Sequence, residues 1–139
     1  MANVARDVMT LDPQCIGENE TLLEAAKKLA RLGVGSMPIC GEDERLKGML
    51  TDRDIVVKAI AQGKDPATTK AGELAQGKPV TIGADDSLSE TLTTMAQHQV
   101  RRLPVIDGHD LVGIVSLADI ARNVAEAPSG AVLEAISAG

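Results

Sequence analysis

The chain has 139 residues, 44% of them hydrophobic, which is enough to bury the core of one compact domain or of two small half-domains. Its formal net charge of -6 at pH 7 argues against a nucleic-acid partner, because binding by counterion release requires a basic face. No run approaches the roughly 18 apolar residues of a membrane span, and the N-terminus lacks the apolar run of a signal peptide. We therefore expect a cytoplasmic protein with no membrane partner.

Strands and helices alternate along the first half of the chain. Pro13 separates the first two elements, Thr21 and Glu24 have the spacing of a capping box, and Gly33 marks a helix stop. In chain order the predicted elements are a helical turn at 5–9, a strand at 14–16, a helix between Thr21 and Gly33, strands at 36–40 and 46–50, and a helix at 52–61.

An internal repeat relates this half to the next. A shift of 66 positions aligns Pro38 with Pro104, and after a one-residue gap Asp54 falls on Asp119. The repeat predicts a first copy at 5–61, a linker at 62–70, a second copy at 71–125 and a tail at 126–139, where apolar residues predict a short terminal helix.

Each copy is predicted to have the order β-α-β-β-α, which gives an α/β fold (α+β by some schemes). A strand-helix-strand crossover implies that its two strands pair in parallel, and the hairpin adds an antiparallel edge. A three-stranded sheet of this size leaves one apolar face exposed. The two copies are therefore expected to pack against each other.

One motif occurs at the start of both closing helices. Thr51 and Ser116 are placed as N-caps, and Asp54 and Asp119 follow three residues later in the first helical turn. Capping alone would explain each pair. The free N–H groups and hydroxyl also suit a phosphate and the carboxylate suits sugar hydroxyls, so each pair is a candidate nucleotide cradle. The chain has no Phe, Tyr or Trp, so a bound base would lie between aliphatic side chains.

The other reactive side chains do not form a catalytic or metal site by their spacing. Cys15 and Cys40 are either two unrelated buried thiols or a disulfide, since the first crossover should bring their strands side by side. Neither has a nearby His, and no nucleophile, base and orienting group occur together, so no enzyme is predicted. His98 and His109 are taken as surface residues rather than metal ligands.

Two sequence motifs recur around the hairpins. They are Met37-Pro38-Ile39 and Leu103-Pro104-Val105, followed by Gly48-x-x-Thr51-x-x-Asp54 and Gly113-x-x-Ser116-x-x-Asp119. On these motifs nearly the whole chain resembles a pair of CBS domains, the arrangement called a Bateman module. Residues 38–41, 48–56 and 98–102 also look like the small stand-alone CBS-pair proteins called hypoxic response proteins in actinobacteria.

The resemblance implies two CBS repeats packed with pseudo-two-fold symmetry and an adenosine-type nucleotide in the cleft between them. It implies a ribose ligand at Asp54 and Asp119 and a hydroxyl beside the phosphates at Thr51 and Ser116. The family's basic position falls on Arg102, with Arg101 adjacent, and a guanidinium fork suits phosphate. In the first copy Gly35 and Ser36 stand there instead, and only Arg53 is a substitute. Arg101 and Arg102 could equally be a solvated pair flanking a strand.

Two hypotheses for function follow. The first is a non-catalytic regulatory module that needs no cofactor, binds AMP, ADP or ATP in preference to S-adenosylmethionine, and signals to an unidentified protein partner. The second is a ligand-free dimeric structural or stress-response protein that responds to redox state through its cysteines. In both the chain is expected to be a homodimer, because one CBS pair leaves apolar helix faces uncovered: Val56, Ala59 and Ile60 with Ile120 and Val124.

Overall fold

The computed structural model describes residues 3–11, 13–75 and 79–126. Its elements in chain order are α1 (Ala5–Val8), β1 (Thr10–Leu11), β2 (Ile16–Gly17), α2 (Leu22–Leu32), β3 (Ser36–Cys40), β4 (Leu46–Thr51), α3 (Asp52–Asp54), a π-helix (Ile55–Ile60), a 3-10 helix (Ala71–Leu74), β5 (Ile82–Gly83), α4 (Leu88–His98), β6 (Arg102–Asp107), β7 (Asp110–Ser116) and α5 (Leu117–Glu126). The mixed α/β fold with two repeats is confirmed.

The described residues divide into two compact units. The first-repeat unit consists of those between Gln14 and Pro79. The second-repeat unit consists of those up to Pro13 together with those from Val80 onward.

The first-repeat unit contains a three-stranded sheet in the order β2-β3-β4. β2 runs parallel to β3, with Ile16 opposite Ile39, and β3 pairs antiparallel with β4, as the crossover and the hairpin predict. Apolar side chains of the sheet, α2, the π-helix and the 3-10 helix form the core, because alternate strand residues and one stripe of a helix point the same way. Its fully buried members are Ile16, Leu22, Ala25, Ile39, Leu50, Ala59 and Ala71.

The second-repeat unit repeats this arrangement and adds one strand. Its sheet has the order β1-β7-β6-β5, in which β5 and β6 are parallel and β1 pairs antiparallel with β7 through Thr10 and Ile114. The core of this unit is formed by Ala5, Ile82, Ala84, Leu92, Met95, Leu103, Val105, Val115 and Ile120. The sequence predicted the helical turn of α1 but not the β1 strand.

Each unit also includes the leading segment of the other repeat. Val4 forms an isolated antiparallel bridge with Ser87, and Lys70 forms the equivalent bridge with Thr21. The backbone N–H of Leu22 donates to the carbonyl of Thr69 at 2.8 Å. Residues 62–70, expected to be a linker, therefore contact the start of α2.

The two long crossover helices begin at the N-cap residues that the sequence indicates, each with the N-cap half of the predicted capping box. The Thr21 hydroxyl accepts a hydrogen bond from the backbone N–H of Glu24 at 3.2 Å, and Ser87 accepts from Glu90 at 3.0 Å. These bonds satisfy an N–H group that has no partner inside the helix. Gly33 ends α2 in the left-handed conformation, with φ of 66°.

The helix predicted at 52–61 is only partly α-helical. After the short α3, residues Ile55–Ile60 form a π-helix, and the N–H of Ala61 donates to the carbonyl of Val56, five residues earlier, at 2.9 Å. Val56 and Ile60 remain 55% and 54% exposed. Ala59 is fully buried in the first-repeat core.

The helix faces proposed from the sequence for dimer contact therefore need correction. Ala59 is fully buried and Ile120 is 1% exposed, so both already belong to the cores of their own units. The side chain of Val124 and the terminal helix predicted in the tail lie outside the described residues. Within the part of the chain that the structure covers, no helix has the length and apolar character to cross a membrane.

Candidate functional site

Ser116 and Asp119 form a reciprocal hydrogen-bonded cap where β7 enters α5. The backbone N–H of Asp119 donates to Ser116 Oγ at 3.0 Å, and the N–H of Ser116 donates to Asp119 Oδ2 at 3.0 Å. The Asp119 side chain is 10% exposed, and its Oδ1 accepts from Arg122 one turn later. A carboxylate here is also favoured by the positive end of the helix dipole.

Thr51 and Asp54 form the same cap where β4 enters α3. The N–H of Asp54 donates to Thr51 Oγ1 at 2.9 Å, and the N–H of Thr51 donates to Asp54 Oδ2 at 3.1 Å. Oδ1 of Asp54 pairs with Lys58 Nζ at 3.3 Å, and the Asp54 side chain is 20% exposed. The capping roles expected from the sequence are thus present in both repeats.

The two caps differ in the charge of the neighbouring strand. Arg102 lies opposite Ser116 in the β6–β7 ladder, and the N–H of Leu117 donates to the Arg101 carbonyl at 2.8 Å. The Arg101 side chain is exposed and that of Arg102 is half-buried. The structure therefore brings Arg101, Arg102, Ser116 and Asp119 to one end of the second-repeat sheet.

In the first repeat the equivalent positions carry no charge. Ser36 lies opposite Thr51 in the β3–β4 ladder, and the Gly35 carbonyl accepts from the N–H of Asp52 at 2.9 Å. Arg53 is exposed on α3, where its backbone N–H donates to Asp52 Oδ1 at 2.8 Å. The Thr51–Asp54 cap thus has the same hydroxyl and carboxylate as the Ser116–Asp119 cap, but the neighbouring strand carries no basic residues.

The chemistry available at the second cap follows from the groups that form it. Ser116 Oγ accepts from the N–H of Asp119, and a hydroxyl that accepts one hydrogen bond can also donate its proton to an anion. A carboxylate accepts hydrogen bonds from hydroxyl groups, and guanidinium forks bind phosphate oxygens in pairs. An adenosine ribose with one or more phosphates presents both kinds of group.

Arg122 and Lys58 are the site residues that the sequence analysis missed. Each is separated from its aspartate by one helical turn, at i+3 for Arg122 and i+4 for Lys58. That spacing places a cation beside a carboxylate on a helix surface, and it could have been detected in the sequence.

Cys15 and Cys40 form a disulfide in the first-repeat unit, with their Cα atoms 5.7 Å apart. Cys40 lies at the end of β3 opposite Gly17 of the parallel strand β2, and Cys15 immediately precedes β2. This is the strand neighbourhood that the crossover predicted. Lys28 Nζ donates to the Cys15 carbonyl at 3.3 Å and so ties α2 to the same corner.

The same lysine pairs with Glu20. Lys28 Nζ lies 2.7 Å from Glu20 Oε1, which also accepts from the N–H of Gly17 at 2.8 Å. Desolvation by burial would raise the pKa of Glu20, but the hydrogen bonds from Lys28 and Gly17 outweigh it and hold that pKa below its ordinary value. The ion pair therefore stabilises the turn beside the disulfide above the unfolded pKa of Glu20, and the contribution is lost as pH falls through the lowered folded pKa.

An open apolar groove of about 660 Å³ lies on the first-repeat unit between α2 and the π-helix. Its lining includes Leu29, Val34, Ile55, Val56 and Ile60. The groove reaches Gly35 and Asp52 but does not include Thr51 or Asp54. It is therefore distinct from the capping residues.

The described side chains do not suggest a metal centre. Among residues 3–11, 13–75 and 79–126, no group of three or more His, Cys, Asp or Glu side chains is arranged to hold a metal ion. His98 and His109 are both exposed.

The repeated β-α-β-β-α unit with its capped closing helix is the structural unit of a known domain family. The CBS domain model matches residues 5–60 and again residues 71–126, so the chain belongs to the CBS domain family and contains a pair of these domains.

Similar proteins include hypoxic response protein 1 of Mycobacterium tuberculosis. It is 53% identical over 122 residues, which cover 88% of this chain and 85% of that protein. A crystal structure of hypoxic response protein I with two coordinated zinc ions superposes with a TM-score of 0.81 at 54% identity, covering 86% of this chain and 97% of that one. The CBS domain pair of MJ0100, in complex with 5′-methylthioadenosine and S-adenosyl-L-methionine, gives a TM-score of 0.77 at 28% identity, covering 88% and 96%.

Proposed function

We propose that this chain is a non-catalytic regulatory CBS pair that binds an adenosine nucleotide at the second-repeat cap. The observation that carries the proposal is the junction of Ser116 and Asp119 with Arg101 and Arg102 at one end of the sheet. The MJ0100 pair, which is complexed with two adenosine compounds, supports the choice of nucleoside. Bound nucleotide would shift the conformation that a protein partner recognises, through a difference in affinity between two states.

Each residue has a distinct role in this proposal. Asp119 accepts hydrogen bonds from the ribose hydroxyls, and Ser116 donates to the nearest phosphate. Arg102 and Arg101 neutralise phosphate charge. Because the first repeat has Gly35 and Ser36 at the equivalent positions, its Thr51–Asp54 site would bind the same nucleotide more weakly.

Asp119→Ala should weaken AMP binding by on the order of 1 to 3 kcal/mol, because it removes charged hydrogen bonds to ribose. Asp54→Ala is the matched control, since it removes the same cap from the first repeat and should have a smaller effect on the tightest site. Isothermal titration calorimetry of both variants and the wild-type protein with AMP, ADP and ATP measures the difference. Wild-type affinity in Asp119→Ala would refute the ribose role.

Zinc plays no part in this proposal, although a similar protein has been crystallised with two zinc ions. The described Cys, His, Asp and Glu side chains do not form a suitable ligand set. Titration with adenosine nucleotides in the presence of a chelator is therefore the appropriate experiment.

A ligand-free stress-response scaffold is the second candidate. Its support is the similarity to hypoxic response protein 1 and the Cys15–Cys40 disulfide, which gives the chain a redox-sensitive bond. The absence of any heat change with AMP, ADP, ATP and S-adenosylmethionine would favour this function over nucleotide regulation.

We also propose that the protein is a homodimer and that Val56 and Ile60 contribute to its interface. Both side chains are more than half exposed and border the apolar groove. Val56→Glu should shift the protein from dimer toward monomer, because a charge would have to be desolvated at the interface. Light scattering at micromolar concentration measures the mass, with Leu11→Glu as a control at an exposed apolar residue of the other unit. A wild-type mass of 14.5 kDa would contradict the homodimer.

A further inference from the structure

Arg122 covers the carboxylate that the proposed function assigns to ribose. It extends from the second turn of α5 back to Asp119 Oδ1, as expected for a helical side chain, which leans toward the N-terminus. The Arg122 side chain is 75% exposed, whereas that of Asp119 is 10% exposed. Asp119 Oδ2 is held by the Ser116 backbone N–H, so Oδ1 is the oxygen that Arg122 keeps from other partners.

The arginine side of this ion pair can open at little cost. Arg122 is 75% exposed, so water can solvate its guanidinium once it leaves, and the long side chain regains the freedom that the pair restricts. The partly buried hydrogen bond from the Ser116 backbone N–H would remain and keep Asp119 in place when Arg122 leaves. Asp119 Oδ1 could then accept a hydrogen bond from a hydroxyl group of a ligand.

We propose that Arg122 is an exchangeable clamp that selects phosphate-bearing adenosine nucleotides. This inference rests on the proposed nucleotide site. In the ligand-free chain Arg122 occupies Asp119 Oδ1. When the ribose diol takes that oxygen, the guanidinium turns to the phosphate at the Ser116 end of the helix and joins Arg101 and Arg102.

The three arginines together determine which adenosine compound is favoured. AMP and ATP carry negative charge at the position where S-adenosylmethionine carries a cationic sulfonium. Three guanidinium groups around one cap attract the former and repel the latter. Adenosine is uncharged. Its binding breaks the Arg122–Asp119 ion pair, and no contact between Arg122 and a phosphate replaces that pair.

The first repeat has none of these three arginines at the equivalent positions. Val57 occupies the position equivalent to Arg122, and Gly35 and Ser36 occupy those equivalent to Arg101 and Arg102. Lys58 pairs with Asp54 from the next position along the helix, and an ammonium group lacks the planar fork that binds phosphate oxygens in pairs. Selection between phosphate and sulfonium ligands is therefore a property of the second repeat.

The test compares adenosine, AMP and S-adenosylmethionine by calorimetric titration of the full chain and of Arg122→Gln. AMP binding should weaken about tenfold, since a charged hydrogen bond to phosphate is lost. Adenosine should bind equally well or more tightly, because its competitor for Asp119 is gone, and the preference for AMP over S-adenosylmethionine should shrink. Arg122→Lys should restore only part of the AMP affinity.

Arg31→Gln is the matched control, because it removes one exposed positive charge from α2 in the other unit and should leave all three affinities unchanged. Equal losses for AMP and adenosine in Arg122→Gln, or no change in either, would overturn the clamp while leaving the nucleotide site intact. Failure of the wild-type protein to bind any of the three ligands would overturn the proposed function and the clamp together. A thermal melt of each variant shows whether it is folded.

Discussion

Reduction of the Cys15–Cys40 disulfide should lower the free energy of unfolding by about 3 kcal/mol. The two cysteines lie 25 positions apart in the sequence, and a cross-link across a loop of this length removes conformational entropy from the unfolded chain. The loop includes β2, α2 and β3, so the loss should be concentrated in the first-repeat unit. Urea denaturation with and without a thiol reductant measures it.

Far-UV circular dichroism is the suitable probe, because the chain has no Phe, Tyr or Trp to report unfolding by fluorescence. A variant with Cys15→Ser and Cys40→Ser is the control, since it should match the reduced wild-type protein and be insensitive to reductant. Two free thiols in the intact mass of the folded protein kept under oxidising conditions would contradict the disulfide. An unchanged urea midpoint on reduction would contradict its contribution to stability.

Most of the fold was predictable because its signals are local. The hairpins, the caps at Thr21 and Ser87 and the αL stop at Gly33 each depend on residues within one turn or one helix end. The parallel pairing of β2 with β3 follows from the crossover rule, even though the predicted strand at 14–16 is observed at Ile16–Gly17. Together these signals determine the repeated unit.

Two features could not be predicted from local patterns. In a duplicated chain the leading segments around Val4 and Lys70 are alike, so the sequence does not show which copy each will join. The π-helix at Ile55–Ile60 could not be predicted either, because six residues are too few for hydrophobic periodicity to distinguish a π-helix from an α-helix. Both features arise from tertiary packing.

The hydrogen-bonded cap of the candidate site was predicted from the sequence, and the contact of Arg122 with Asp119 was only indicated by its i, i+3 spacing. The hydroxyl and carboxylate spacing of Ser116 and Asp119 follows the capping pattern, and the hydrogen bonds are present. The position of Arg122 beside Asp119 Oδ1 depends on which rotamer the exposed arginine takes, and spacing does not determine the rotamer. The low exposure of the Asp119 side chain, 10%, is set by tertiary packing and does not follow from this spacing.

Gly113→Ala should destabilise the second-repeat unit by about 3 kcal/mol, at the upper end of the cost of overpacking a well-packed core. A Cβ at Gly113 would lie 2.5 Å from the sulfur of Met9 and 2.8 Å from the backbone carbonyl oxygen of Thr10. The methionine side chain can move, but the carbonyl belongs to β1, which pairs with β7 at this residue. The added methyl group should therefore displace β1 from the sheet.

Gly48→Ala is the matched control, because Gly48 occupies the equivalent position in the first repeat. There a Cβ would lie 3.1 Å from Cβ and 3.4 Å from Cα of Ala75, a tight contact that a small shift can relieve. Native-state hydrogen exchange resolves the two units: Gly113→Ala should lower protection in β1 and β7, while Gly48→Ala should change protection in β4 far less. Equal effects of the two substitutions would show that the covering strand β1 yields as readily as the segment around Ala75, and that its pairing with β7 adds little to the stability of the second-repeat sheet.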